Sequence, residues 1–175
     1  MIKNTIKIAL VGQPNVGKSM LINSISNARL KVGNFSGVTV SKEQVFFDYK
    51  NFHIEIVDLP GAYSLNDYTI EEKVTKDFLN NEKYDIILNV LDSTNLQRNL
   101  LLTAELLTLD KKMIIALNMS DEAEKESILI DEIQLKLKKL NVNRDGINYL
   151  VLTELYSLRT RVYIVLHESH FFELN

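Results

Sequence analysis

Short apolar runs alternate along this chain with stretches of helical period, a pattern that predicts an α/β fold with a mostly parallel sheet. The run from Ile6 to Val11 is apolar throughout and ends in Gly12, as a strand covered on both faces should be. Residues Ser19 to Ser26 read as a helix. Val40 to Tyr49 and Phe52 to Val57 read as two strands joined by a tight turn at Lys50 and Asn51, hence antiparallel. Thr69 to Leu79 reads as a helix with Glu71 and Glu72 in its first turn, where the helix dipole favours acids. Asp85 to Leu91 is a strand, Gln97 to Leu107 a helix and Met113 to Leu117 a strand. A Lys-rich helix over Asp131 to Leu140 and a last strand over Tyr149 to Leu152 complete the series.

Composition narrows the chemistry. The 175 residues suit one domain with a core of its own. There is no Cys, so disulfides, thiolate metal sites and Cys nucleophiles are excluded. A net charge of −3 gives no basic footprint, and no nucleic-acid partner is expected. No run of about 20 apolar residues is present and the N-terminus lacks a signal-peptide pattern, so the chain reads as soluble and intracellular.

Gly12-Gln13-Pro14-Asn15-Val16-Gly17-Lys18-Ser19 matches G-x-x-x-x-G-K-[ST] between a predicted strand and a predicted helix. Small residues let the backbone wrap phosphates, with its N–H groups pointing inward at the start of a helix. The expected nucleotide contacts here are Gly12, Asn15, Val16, Gly17, Lys18, Ser19 and Met20, with Lys18 on the β- and γ-phosphates and Ser19 on Mg²⁺. Asp58-Leu59-Pro60-Gly61 follows a strand beside this loop. Asp58 is the expected Mg²⁺-linked carboxylate, and Gly61 brings an N–H to the γ-phosphate with no side chain in the way. Val32 to Thr39, uncharged and with two Gly, reads as a mobile switch. Gly37 and Val38 bring Thr39 to the nucleotide, and Thr39 joins the Mg²⁺ shell when GTP is bound.

Asn118-Met119-Ser120-Asp121 follows the strand ending at Leu117. Guanine presents N1–H and N2–H on one edge, and a carboxylate accepts both; Asp121 is that acceptor. Adenine has no such donor pair and would leave Asp121 desolvated and unpaired. Asn118 fixes the loop and contacts the other edge of the base, and the Met119 stem covers its face.

With these motifs in place, the chain resembles the GTPase domain of the bacterial ferrous-iron transporter FeoB over residues 5 to about 140. The stretches carrying the likeness are Val32 to Val40, Asp58 to Leu65, Asn89 to Leu100 and Ala116 to Lys125, and Met119 stands where most other GTPases have Lys. The resemblance implies a Ras-like P-loop GTPase fold: a six-stranded sheet with Val40 to Tyr49 as its one antiparallel edge strand and helices on both faces. It implies a Mg²⁺-dependent GTPase that regulates ferrous iron transport from the cytoplasmic side of the bacterial inner membrane. Its partners would be the membrane-embedded part of the transporter, a helical spacer domain and FeoA. It also implies that Asn15 helps to bind a K⁺ ion that accelerates hydrolysis, which fits the residue after Gly61. That residue is Ala62, which cannot orient a water molecule as Gln would. The expected catalytic set is Lys18, Thr39, Gly61 and Asn15, with Ser19, Thr39 and Asp58 on Mg²⁺. A ribosome- or tRNA-linked GTPase shares the P-loop but calls for an RNA-binding surface. A remnant that binds nucleotide weakly without hydrolysing it is the third reading.

The likeness dissolves from about Asn141. Thr153 is the best-placed substitute for the last guanine-contacting loop. Residues 1–153 are read as the GTPase domain and 154–175 as a divergent tail, in which Arg161 to Leu166 reads as strand and the usual final helix has no counterpart. Two accounts fit the tail: a divergent natural ending, or a truncated or frameshifted reading frame, which its abrupt break favours.

Overall fold

The computed structural model describes residues 4–23, 29–128, 149–152 and 160–167. Its sheet runs in the order β2 (Arg29–Asn34), β3 (Ser41–Tyr49), β4 (Phe52–Asp58), β1 (Asn4–Gly12), β5 (Ile86–Asp92), β6 (Lys112–Asn118), β8 (Thr160–His167), β7 (Tyr149–Leu152). The centre is parallel: β4 (Phe52–Asp58), β1 (Asn4–Gly12), β5 (Ile86–Asp92) and β6 (Lys112–Asn118). These strands are continuous apolar runs because both of their faces are covered. Ala9, Leu10, Val11, Val57, Ile87, Val90 and Ala116 are fully buried. One face packs Ala9, Val11, Val57 and Ile87 with Phe78 and Leu102 of the two long helices. The other packs Leu10, Val45, Ile56, Val90 and Ala116 around Val16 and Ile22.

The α/β class and the parallel centre are as the sequence predicts; the strand count and the edges differ. Eight strands are described rather than six, and Val40 to Tyr49 is not an edge. It forms β3 (Ser41–Tyr49), antiparallel to β4, and β2 (Arg29–Asn34) pairs outside it. All six residues of β2 are exposed, so no burial periodicity marks that strand in the sequence. On the other side, β8 (Thr160–His167) pairs antiparallel with β6, and β7 (Tyr149–Leu152) pairs with β8 at the edge. Both strands fall where the sequence pattern puts them. The Lys-rich helix over 131–140 and Thr153 lie outside the described residues.

The helices are α1 (Lys18–Asn23), α2 (Ile70–Asn81), α3 (Leu96–Leu107) and the short α4 (Ser120–Lys125). Thr69 is the N-cap of α2, its side chain accepting from the Glu72 N–H. The C-terminal ends of β1, β4 and β6 carry the loops that build the site, as open α/β sheets place their ligand crevices. Among the described residues no helix is long and apolar enough to cross a membrane.

Candidate functional site

The loop from Gln13 to Gly17 joins β1 to α1 and is shaped by two residues with positive φ, Asn15 at 65° and Gly17 at 87°. Asn tolerates this left-handed backbone and Gly adopts it freely. A Cβ on Gly12 would stand 2.7 Å from the Val90 carbonyl oxygen, so glycine is required where the loop leaves the sheet.

A cavity of about 470 Å³ opens beside this loop. Lys18, Ser19, Thr39, Asp58 and Gly61 line it together, so the expected phosphate and Mg²⁺ residues meet in one place. Glu43 and Glu71 also line it, and the sequence reading assigned neither to the site. The Lys18 ammonium stands 3.9 Å from Asp58 Oδ1, and both side chains are largely buried. That oxygen has no hydrogen-bond partner. A buried carboxylate oxygen without a donor costs free energy unless a cation or its water shell meets it. Ser19 and Thr39 add hydroxyl oxygens to the same wall, a hard donor set that suits Mg²⁺. The residues therefore fit the ion.

Burial raises the Asp58 carboxyl from 3.8 to about 6; Lys18 opposes the shift and Glu43, paired with it across β3 and β4, adds to it. The folded chain thus binds this proton more tightly than the unfolded chain. The stability from that proton is present below pH 3.8, declines as pH rises and is gone above about 6. Asp58→Asn removes the buried charge. It should raise the melting temperature of the ligand-free chain at pH 7.5 by the equivalent of about 1–3 kcal/mol, with a smaller gain at pH 5. Thermal melts at the two pH values check this, and equal melting of variant and parent at both would count against it.

The segment around Gly61 is fastened at several points. Leu59 N–H donates to the Leu10 carbonyl at 3.0 Å and Ala62 N–H to the Gly12 carbonyl at 3.2 Å. Glu72 stands in the first turn of α2, as the sequence predicts, and it has a further role there. It is buried, and its carboxylate accepts from the N–H groups of Ser64 and Tyr68, each at 3.2 Å. Glu105 on α3 accepts from Leu65 N–H at 2.6 Å. Ala62 is buried with its N–H already committed, so it offers nothing to a water molecule.

The expected switch from Val32 to Thr39 is divided. Val32 to Asn34 belong to β2, and Phe35 is buried with its ring edge-on to Phe78 at 6.2 Å. Phe35 N–H donates to the Val40 carbonyl at 3.0 Å, and Gly37 has φ 75° in the turn between them. Val38 packs on the core, whereas Thr39 is exposed on the cavity wall.

On the other side of the phosphate loop, Asn118 ends β6. Its Nδ2 donates to the Val16 carbonyl at 2.9 Å, as its expected role in fixing the loop requires. A Cβ on Gly17 would lie 2.1 Å from that Nδ2 and 4.0 Å from the Met119 terminal methyl. Met119 has φ 57°, which turns the chain into α4, and Asp121 is the second residue of that helix. Ser120 is held by the Leu117 carbonyl at 3.2 Å and faces Ser93 at 3.5 Å. Asn118, Met119 and Asp121 do not line the cavity that holds Lys18; Asn118 and Met119 stand at the Gly17 side of the loop. Met20 is 55% exposed, and Asn15 stands exposed at the loop's tip.

The chain matches the family described as Ferrous iron transport protein B over residues 6–147. It is 64% identical over 126 residues to the Fe(2+) transporter FeoB of Campylobacter jejuni, covering 72% of this chain and 21% of that protein. The chain thus spans about a fifth of that relative's length. The crystal structure of the G domain of T. maritima FeoB superposes with a TM-score of 0.70 at 41% identity, covering 77% of this chain and 83% of that one. The T. maritima FeoB cytosolic domain in a GDP form gives 0.72 at 40% identity, covering 78% and 53%. The phosphate loop, the Asp58 wall and the matched span agree: this chain belongs to the ferrous iron transport protein B family, over the part that carries its G domain.

Proposed function

We propose that this chain binds GTP and GDP with Mg²⁺ and hydrolyses GTP, and that the two nucleotide states regulate ferrous iron passage through a membrane-embedded part on whose cytoplasmic side it works. The observation that carries this reading is the cavity uniting Lys18, Ser19, Thr39, Asp58 and Gly61, with Asp58 Oδ1 buried and without a hydrogen-bond donor. The GDP form of the T. maritima relative supports the choice of nucleotide. A helical spacer and FeoA complete the partner set; a Porphyromonas gingivalis relative is a fusion of transport protein A with FeoB.

In this reading the amides of Asn15 to Ser19 grip the β-phosphate and the Lys18 ammonium bears charge that develops on the β–γ bridge as it breaks. Water attacks the γ-phosphorus in line, opposite the leaving oxygen of GDP. Mg²⁺, held by Ser19, Thr39 and through Asp58, would neutralise the phosphate oxygens. Thr39 and Gly61 register the γ-phosphate, so its loss releases both loops. Asp121 selects guanine by accepting from the N1–H and N2–H groups of the base.

With Ala62 unable to orient water, the exposed Asn15 side chain would help to hold a monovalent cation beside the phosphates, which would supply the missing charge stabilisation. The test is phosphate release from GTP in K⁺ against Na⁺, with ATP as control. The parent should prefer GTP and run at least about tenfold faster in K⁺, roughly 1.4 kcal/mol of barrier. Asn15→Ala should lose the K⁺ response and keep GDP affinity. Equal K⁺ responses in the two proteins would remove Asn15 from the role, and no phosphate release in either salt would remove the GTPase reading.

A further inference from the structure

Arg98 is the third residue of α3, in a first turn where the helix dipole disfavours a cation. A residue that breaks a local rule needs a compensating contact, and Arg98 has three. Its carbonyl oxygen accepts from Gln13 Nε2 at 2.7 Å, and its Nε donates back to Gln13 Oε1 at 3.1 Å. Its guanidinium carbon lies 5.3 Å from the centroid of the Tyr63 ring, within cation–π range. Gln13 is 1% exposed and sits in the phosphate loop beside Gly12, and Gly12 accepts the Ala62 N–H. The contacts close a ring: Gly12 to Ala62, Tyr63 to Arg98, Arg98 to Gln13 and back to Gly12. Gly61, on the cavity wall, is the residue just before this ring, and a Cβ there would meet Pro14 at 2.9 Å.

We propose that Arg98 is a positioning residue for the γ-phosphate end of the site: by clamping Tyr63 to Gln13 it holds Gly61 at the cavity wall. The proposal rests on the GTP-binding reading above. GDP has no γ-phosphate and makes no use of Gly61, so the clamp acts on triphosphate affinity alone. A planar guanidinium is needed, because an ammonium at this place has no second face for the ring and no Nε for Gln13.

The test compares the Kd of GDP with that of a non-hydrolysable GTP analogue for the parent, Tyr63→Ala, Tyr63→Phe, Arg98→Ala and the double alanine variant. Tyr63 is 47% exposed, so its truncation opens no cavity. Arg98 is exposed as well, so water replaces its Nε at Gln13 in the alanine variant. Tyr63→Ala and Arg98→Ala should each weaken the analogue about three- to fivefold and leave GDP within twofold. Tyr63→Phe keeps the ring face and should match the parent. The double variant should lose no more than either single one, because the two residues form one contact. Parallel weakening of both nucleotides would mark a merely structural role and overturn the proposal, as would an unchanged ratio or additive losses. Tyr63→Ala alone decides the matter if Arg98→Ala fails to fold. A parent that binds neither nucleotide overturns the GTP reading and this proposal together, whereas a parent that binds both, beside variants with an unchanged ratio, overturns this proposal only.

Discussion

Gly17→Ala should lower GDP affinity at least about 100-fold, roughly 2.7 kcal/mol, and should also lower the melting temperature. The residue has φ 87°, where a Cβ costs roughly 1–2 kcal/mol. The added methyl would sit 2.1 Å from Asn118 Nδ2. That amide is no free side-chain end. It is buried and donates at 2.9 Å to the Val16 carbonyl, so moving it breaks the bond that ties β6 to the phosphate loop. A buried hydrogen bond lost in this way costs about 1–3 kcal/mol. The two terms together should lower the melting temperature by roughly 4–20 °C in a chain of this size. Calorimetric titration with GDP and a thermal melt check both halves. A variant that binds GDP within threefold of the parent would show that the Asn118–Val16 tie is irrelevant to the cradle.

The second large effect concerns base choice. Asp121→Ala should weaken GDP by about two to three orders of magnitude, since in the proposed reading two charge-assisted hydrogen bonds at about 1.5–3 kcal/mol each would be lost with part of the desolvation recovered. It should leave the weak binding of ATP unchanged. Asp121→Asn is the sharper variant, because its amide offers one donor and one acceptor. It suits a purine with a carbonyl in place of the N2 amine, so xanthosine diphosphate should bind it better than GDP does. Competition titrations on both variants measure this. Retention of GDP affinity in Asp121→Ala would take the base-reading role from this residue.

How much of this was legible beforehand depends on whether the signal was local. The phosphate loop was, because its glycines answer to steric needs that the motif itself encodes: Gly12 faces the Val90 carbonyl and Gly17 faces Asn118. The strands of the parallel centre were legible because burial on both faces makes them continuous apolar runs. Strand β2 was not, since an exposed edge with no buried face leaves no period to read. Glu72 was read as a dipole partner from its place in the first turn. Its buried grip on Ser64 and Tyr68 depends on how the preceding loop folds back over α2, which sequence spacing does not state. The pairing of Gln13 with Arg98 spans 85 residues and was out of reach for the same reason. The one available clue was a cation in the first turn of α3. Of the site itself, the sequence named Lys18, Ser19, Thr39, Asp58 and Gly61, which line one cavity, but gave no sign that Glu43 lines it too and adds to the burial that raises the Asp58 carboxyl to about 6.

The central claim of the proposed reading is that Lys18 and the loop amides grip phosphates while Asp121, outside the cavity that Lys18 lines, reads guanine. The most direct measurement is displacement of a fluorescent GDP analogue from the full chain, in Mg²⁺ and K⁺, by GTP, GDP and ATP. The account predicts that GTP and GDP displace the probe at comparable concentrations and that ATP in about 100-fold excess over them does not. Displacement by ATP at the concentrations that suffice for GTP would contradict it.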